Sequence, residues 1–113
     1  MLNLDYPIID CHTHVFPPKV ARKAVQAIGD FYKIPMTRAG SMKELCTEAK
    51  QHGMEKMLIT STATKTEQVT AINDFLKETQ DAHEELFAFG TLFPGMNDYD
   101  MDAEIDRILG MGL

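Results

Sequence analysis

Three short apolar runs, Tyr6-Pro7-Ile8-Ile9-Asp10-Cys11, Lys56-Met57-Leu58-Ile59-Thr60-Ser61 and Leu86-Phe87-Ala88-Phe89-Gly90-Thr91-Leu92, are each followed by longer stretches whose apolar residues recur every three or four positions. Short runs with β-branched residues suit strands buried in a parallel sheet, and the longer stretches suit crossover helices. This order predicts right-handed βαβ units. It therefore predicts an α/β fold with a parallel sheet and no second domain.

The helices have readable ends. Lys19 to Lys33 sets Val20, Ala24, Ala27, Ile28, Phe31 and Tyr32 on one face, behind the break at Pro17-Pro18. Ser41-Met42-Lys43-Glu44 is a capping-box pattern that opens a second helix ending at Gly53. Thr64-Lys65-Thr66-Glu67 repeats the pattern before a third helix whose inward face is Val69, Ile72, Phe75 and Leu76. After loop signals at Pro94-Gly95 and Asn97-Asp98, a fourth helix carries Ile105, Ile108, Leu109 and Met111 and stops at Gly112. The 113 residues are too few for an intact (β/α)₈ barrel, which takes about 250. Three strands with bare edges are also a poor stand-alone unit. The expectation is therefore the amino-terminal portion, residues 1–113, of one larger domain cut before its fourth strand.

With 17 acidic against 11 basic side chains, the formal charge is -6, and no basic stripe is present. Nucleic-acid and anionic-membrane partners are therefore not expected. No apolar run approaches the roughly 18 residues of a membrane span. Met1-Leu2-Asn3-Leu4-Asp5 carries an acid where a leader peptide would be basic. The expected compartment is the cytoplasm, with Cys11 and Cys46 as free thiols.

Asp10-Cys11-His12-Thr13-His14 is the segment that demands a chemical explanation. Residues two apart on extended backbone project to the same face, so His12 and His14 can share one ion. Imidazole favours zinc and related divalent ions, and the carboxyl end of a parallel strand is where α/β folds place active sites. Asp10 either orients an imidazole or fixes the strand end. Cys11 alternates to the opposite face and is expected to be buried. His52 reads as a helix-terminal surface residue, and His83 enters the sheet at its amino end, away from the pair. Hydroxyls after the second strand (Thr60, Ser61, Thr62, Thr64), Lys65, and then Thr91, Phe93 and Pro94 are candidates to line a pocket.

The stretch from Ile8 to Pro18, IIDCHTHVFPP, resembles the first-strand motif of the amidohydrolase superfamily. The likeness is to the amidohydrolase-related, aminocarboxymuconate-semialdehyde-decarboxylase-like branch of single-domain barrels. Thr62-Ala63-Thr64-Lys65 and Phe89-Gly90-Thr91-Leu92-Phe93-Pro94 resemble later landmarks of that branch. The resemblance implies a (β/α)₈ TIM barrel in which His12 and His14 bind a divalent metal, usually zinc. Relatives complete the site with histidines and an aspartate from later strands, and many carry a histidine where this chain has Phe93. Metal phosphoesterases that open with Asp-x-His-x-His continue with a Tyr-Ser-Asp-Gly-like stretch, whereas Val15-Phe16-Pro17-Pro18 stands here. The expected function is a metal-dependent hydrolase acting on a small-molecule substrate, with these residues alone catalytically silent. A non-oxidative decarboxylase of the same fold, and a noncatalytic α/β binding module with an incidental His-x-His, are the alternatives.

Overall fold

The computed structural model describes residues 5–113. The stretch Met1 to Leu4, used in the leader argument, lies outside the described residues. Strand β1 (Ile8–His14) is followed by helices α1 (Ala21–Tyr32) and α2 (Met42–His52), then by β2 (Met54–Thr60). A short 3₁₀ turn (Thr66–Gln68) leads into α3 (Val69–Ala82), after which come β3 (Leu86–Ala88) and α4 (Asp98–Met111). The three strands form one parallel sheet in the order β1-β2-β3. This is the expected α/β arrangement, with β2 central and an edge strand on either side.

The sheet has one dry face. Met57 and Ile59 of β2 and Leu86 and Ala88 of β3 point into a core completed by Val15, Ala49 of α2, and Val69, Ile72 and Leu76 of α3. Alternate residues face the other way, and Ile9, Phe87 and Phe89 are exposed there. Lys56 shares that face, with its Nζ 5.7 Å from the Phe87 ring centroid. The sequence predicts strands buried on both faces; the structure covers one, because α2 and α3 lie on the same side.

Helix α2 ends where the sequence predicts. Ser41 accepts from the Glu44 amide (3.3 Å), and Gly53 closes the helix in the left-handed region at φ 72°. Asn97 caps α4 in the same way, accepting from the Asp100 amide at 2.8 Å. The second capping box does not form. Gln68 Oε1 instead accepts from both the amide (2.8 Å) and the hydroxyl (3.0 Å) of Thr64, so the chain enters α3 through a 3₁₀ turn. Helix α1 also departs from expectation. Phe31 and Tyr32 are exposed and Ala21 is its one buried residue, because α2 rather than α1 packs against the core.

Strand β3 is shorter than the predicted run to Leu92. The chain leaves the sheet after Phe89, whose amide still bonds Ile59 (3.2 Å). Fully buried Asn73 of α3 then captures it, accepting from the Thr91 amide (2.7 Å) and donating to the Thr91 carbonyl (2.9 Å). The same amide nitrogen donates to buried Glu104 of α4 at 2.7 Å. Arg107 donates to both Glu104 oxygens (3.0 and 2.8 Å), to Asp74 and to the Thr70 carbonyl. Those bonds hold the Glu104 carboxyl below its ordinary range, with the Arg107 hydrogen bond the largest cause. Gly90 lets α4 approach, since a Cβ there would stand 2.8 Å from Ile108.

Candidate metal centre

The two strand-end histidines meet. Strand β1 runs through His14, so the pair lies within its last turn of pleat rather than after it. Their Nε2 atoms are 3.0 Å apart and their ring centroids 5.0 Å apart, both side chains being exposed. Two zinc–nitrogen bonds of about 2.0–2.1 Å at a near-tetrahedral angle place the nitrogens about 3.3 Å apart. The pair therefore fits one divalent ion with a few tenths of an ångström of adjustment.

The backbone beneath the pair is irregular. Asp10 pairs with Met57 and Thr13 with Ile59, so β1 takes three steps against two on β2, the signature of a β-bulge. Asp10 Oδ1 accepts from the His12 amide at 3.1 Å, giving that N–H a partner on the bulged backbone. Of the two roles open to Asp10, the structure supplies the backbone one. Cys11, expected to be buried, is exposed, because β1 is an edge strand and its alternation is interrupted by the extra residue. Past the bulge the strands are relocked by side chains. Thr13 Oγ1 donates to the Leu58 carbonyl (2.8 Å), and Thr60 Oγ1 donates to the Thr13 carbonyl (3.1 Å).

Thr60 also sets the state of His14. Its hydroxyl has one proton, given to the Thr13 carbonyl, so at 3.2 Å from His14 Nδ1 it acts as acceptor. This assigns the proton of neutral His14 to Nδ1 and leaves the Nε2 lone pair facing His12. Such a partner on the far nitrogen is typical of metal-ligating histidines. Replacing Thr60 by valine keeps the strand shape and removes the acceptor. We expect zinc affinity at the pair to fall about 10–100-fold, with the Nδ1 proton resonance of His14 lost from imidazole NMR spectra. Unchanged affinity would show that Thr60 does not orient the ring.

Burial, and then the neighbouring His12, hold His14 below the usual histidine pKa. In the folded chain His14 releases its proton more readily than in the unfolded chain, whose value is about 6.5. Its contribution to stability is therefore whole above about pH 6.5 and is lost progressively as pH falls below that value, levelling off under the depressed folded value. His14→Gln should flatten the decline of the urea midpoint in this acid window. A wild-type midpoint no more acid-sensitive there than that of the variant would contradict the assignment.

The other candidates are placed elsewhere. His52 ends α2 and lies 3.5 Å from Glu48, a helix-terminal surface role as expected. Thr64 is taken up by Gln68 and Thr91 by Asn73, while Phe93 packs against the core. Ser61 is buried, with no hydrogen-bond partner for its hydroxyl among the described residues. Among the described residues, no third His, Cys, Asp or Glu donor comes within 4.8 Å of both histidines. A groove of about 580 Å³ runs along α1 between Arg22, Gly29 and Met36 and contains neither histidine.

One grouping has no counterpart in the sequence reading. Cys46 of α2, His83 at the end of α3 and Glu85 before β3 bring one ligand atom each within 4.8 Å of one another. Burial, with Glu85 adding to it and Lys50 opposing, pushes the Cys46 thiol above its ordinary range. No motif spacing connects residue 46 to residues 83 and 85, so only the packing of α2 on the sheet reveals them. No helix of the described residues is long and apolar enough to cross a membrane. No protein-family model and no curated protein matches this chain.

Proposed function

We propose that His12 and His14 are two ligands of a divalent metal, zinc by the chemistry of the donors, in a metal-dependent hydrolase of the amidohydrolase type acting on a small organic molecule. The observation that carries this reading is the pair of Nε2 atoms 3.0 Å apart at the carboxyl end of a parallel strand. Thr60 lies on the same sheet face as Lys56 and Leu58, by strand alternation, while α2 and α3, the helices that pack on the strands among the described residues, lie on the core face. A face opposite those helices carrying the ligands is what the inner wall of a (β/α)₈ barrel would present, and it supports reading these strands as the first units of one. A catalytic zinc site ordinarily has three protein ligands. In this reading later strands supply the remaining ligands and the general base.

When bound, such an ion supplies Lewis acidity that polarises a scissile carbonyl and makes water a stronger acid. The residues of this chain prepare its seat. Thr60 keeps the His14 proton on Nδ1, Asp10 holds the bulged backbone under His12, and the lowered His14 pKa keeps that lone pair free at neutral pH. Zinc titration followed by imidazole NMR tests the assignment. His12 and His14 should shift together and saturate at one site, and a response confined to His52 or His83 would sink it. For the reaction class, hydrolysis of small esters and amides by the whole protein should stop with chelator and return with zinc. Release of carbon dioxide from a carboxylate substrate instead would identify a decarboxylase.

A further inference from the structure

The geometry points to a second, independent metal site formed by Cys46 Sγ, His83 and Glu85, selective for borderline-soft divalent ions of the zinc class. Three chain segments contribute one donor each: the middle of α2, the residue that ends α3, and the residue preceding β3. His83 Nδ1 and Glu85 Oε1 stand 3.5 Å apart, beyond an ordinary hydrogen bond. No side-chain hydrogen bond involves Cys46 Sγ, the His83 ring or the Glu85 carboxylate among the described residues. The three donors are thus gathered without a hydrogen bond between them, His83 and Glu85 standing at ion-pair distance when the imidazole is protonated.

A thiolate, an imidazole and a carboxylate are the usual donors of zinc, and a thiolate disfavours magnesium and calcium. Zinc bonds of about 2.0–2.3 Å require donors about 3.3–3.6 Å apart, so the present spread closes by about 1 Å through side-chain rotation. Binding replaces the thiol proton, which passes to solvent, and the thiolate and carboxylate charges balance the dication. Three protein donors leave one coordination position to water. Glu85 also fixes the sheet, its carbonyl accepting from the Met57 amide at 3.0 Å. The site therefore clips α2 and α3 to the amino end of β3, at the opposite end of the sheet from His12 and His14.

Cobalt(II) titration of the reduced, metal-free chain tests this, because a thiolate ligand produces a near-ultraviolet charge-transfer band that histidine ligation does not. The band should grow to one equivalent, persist in Cys11→Ala and in the His12→Ala, His14→Ala pair, and vanish in Cys46→Ala. His83→Gln should weaken cobalt binding by more than about tenfold, since an inner ligand matters at least as much as the outer partners that tune it. A band that survives Cys46→Ala, or a folded wild type with free thiols and no band, overturns the proposal. Alkylation mapping of the wild type covers the case in which the variant fails to fold. Cobalt should shield Cys46 from iodoacetamide, and equal labelling with and without cobalt overturns the site. Neither result bears on His12 and His14.

Discussion

Asn73→Ala should destabilise the fold by about 3–4 kcal/mol, the largest loss we expect from any single polar truncation in this chain. Asn73 is fully buried and makes three hydrogen bonds: two with the backbone of Thr91 and one with Glu104. Each net bond is worth about 1 kcal/mol, but truncation leaves the partners unpaired, which costs about 1–3 kcal/mol per desolvated group. Glu104 weighs most, because it is a nearly buried carboxylate that loses its Asn73 donor and leans on Arg107. The measurement is the urea midpoint with an unchanged m-value. Asn73→Asp sharpens the test, since it places a second carboxylate against Glu104 and should be no milder than alanine. A loss below about 1 kcal/mol for either variant would show that the segment after β3 is held by Gly90 and Ile108 packing instead.

That network marks where sequence reading stops. Both ends of α2 and the far end of α4 are legible because caps act locally: Ser41, Gly53 and Gly112 sit within a few residues of the groups they satisfy, whereas Asn97, read as a loop residue, caps the start of α4. The parallel sheet is legible because alternating strands and helices leave few topologies. The end of β3 is not. Phe89 to Leu92 has the composition of a strand, yet Asn73, 18 residues earlier in sequence than Thr91, takes over its backbone partners. Asn73 itself reads as one more polar residue on an amphipathic helix.

The histidine pair was legible for the opposite reason. A spacing of two on extended backbone needs no tertiary information, and although the bulge between Asp10 and Thr13 takes in His12, the two rings still meet, with their Nε2 atoms 3.0 Å apart. The exposure of Cys11 was lost to that same bulge and to the edge position of β1. Thr60 was visible only as a strand-end hydroxyl, because its role depends on which β1 residue stands opposite it. Cys46, His83 and Glu85 share no motif and meet only through packing.

The second large effect follows from how close the two imidazoles are. His12→Ala and His14→Ala should each weaken zinc binding at the pair by about 10²–10⁴-fold, the range in which a linked second ligand raises affinity over one alone. The double variant should lose little more than either single one. Two nitrogens 3.0 Å apart act as one chelating unit, and a single imidazole on an exposed edge strand holds an ion no better than a free side chain. Losses that act through one unit are non-additive. The surviving histidine is the probe: its Nε2 resonance in each single variant reports affinity at this site alone, unaffected by zinc bound near Cys46. Circular dichroism should stay native, because both rings are exposed and neither belongs to the core. If the surviving histidine in each single variant instead kept the wild-type affinity for zinc, the histidines would be independent weak sites. The shared-ion reading would then fail even though both residues bind zinc.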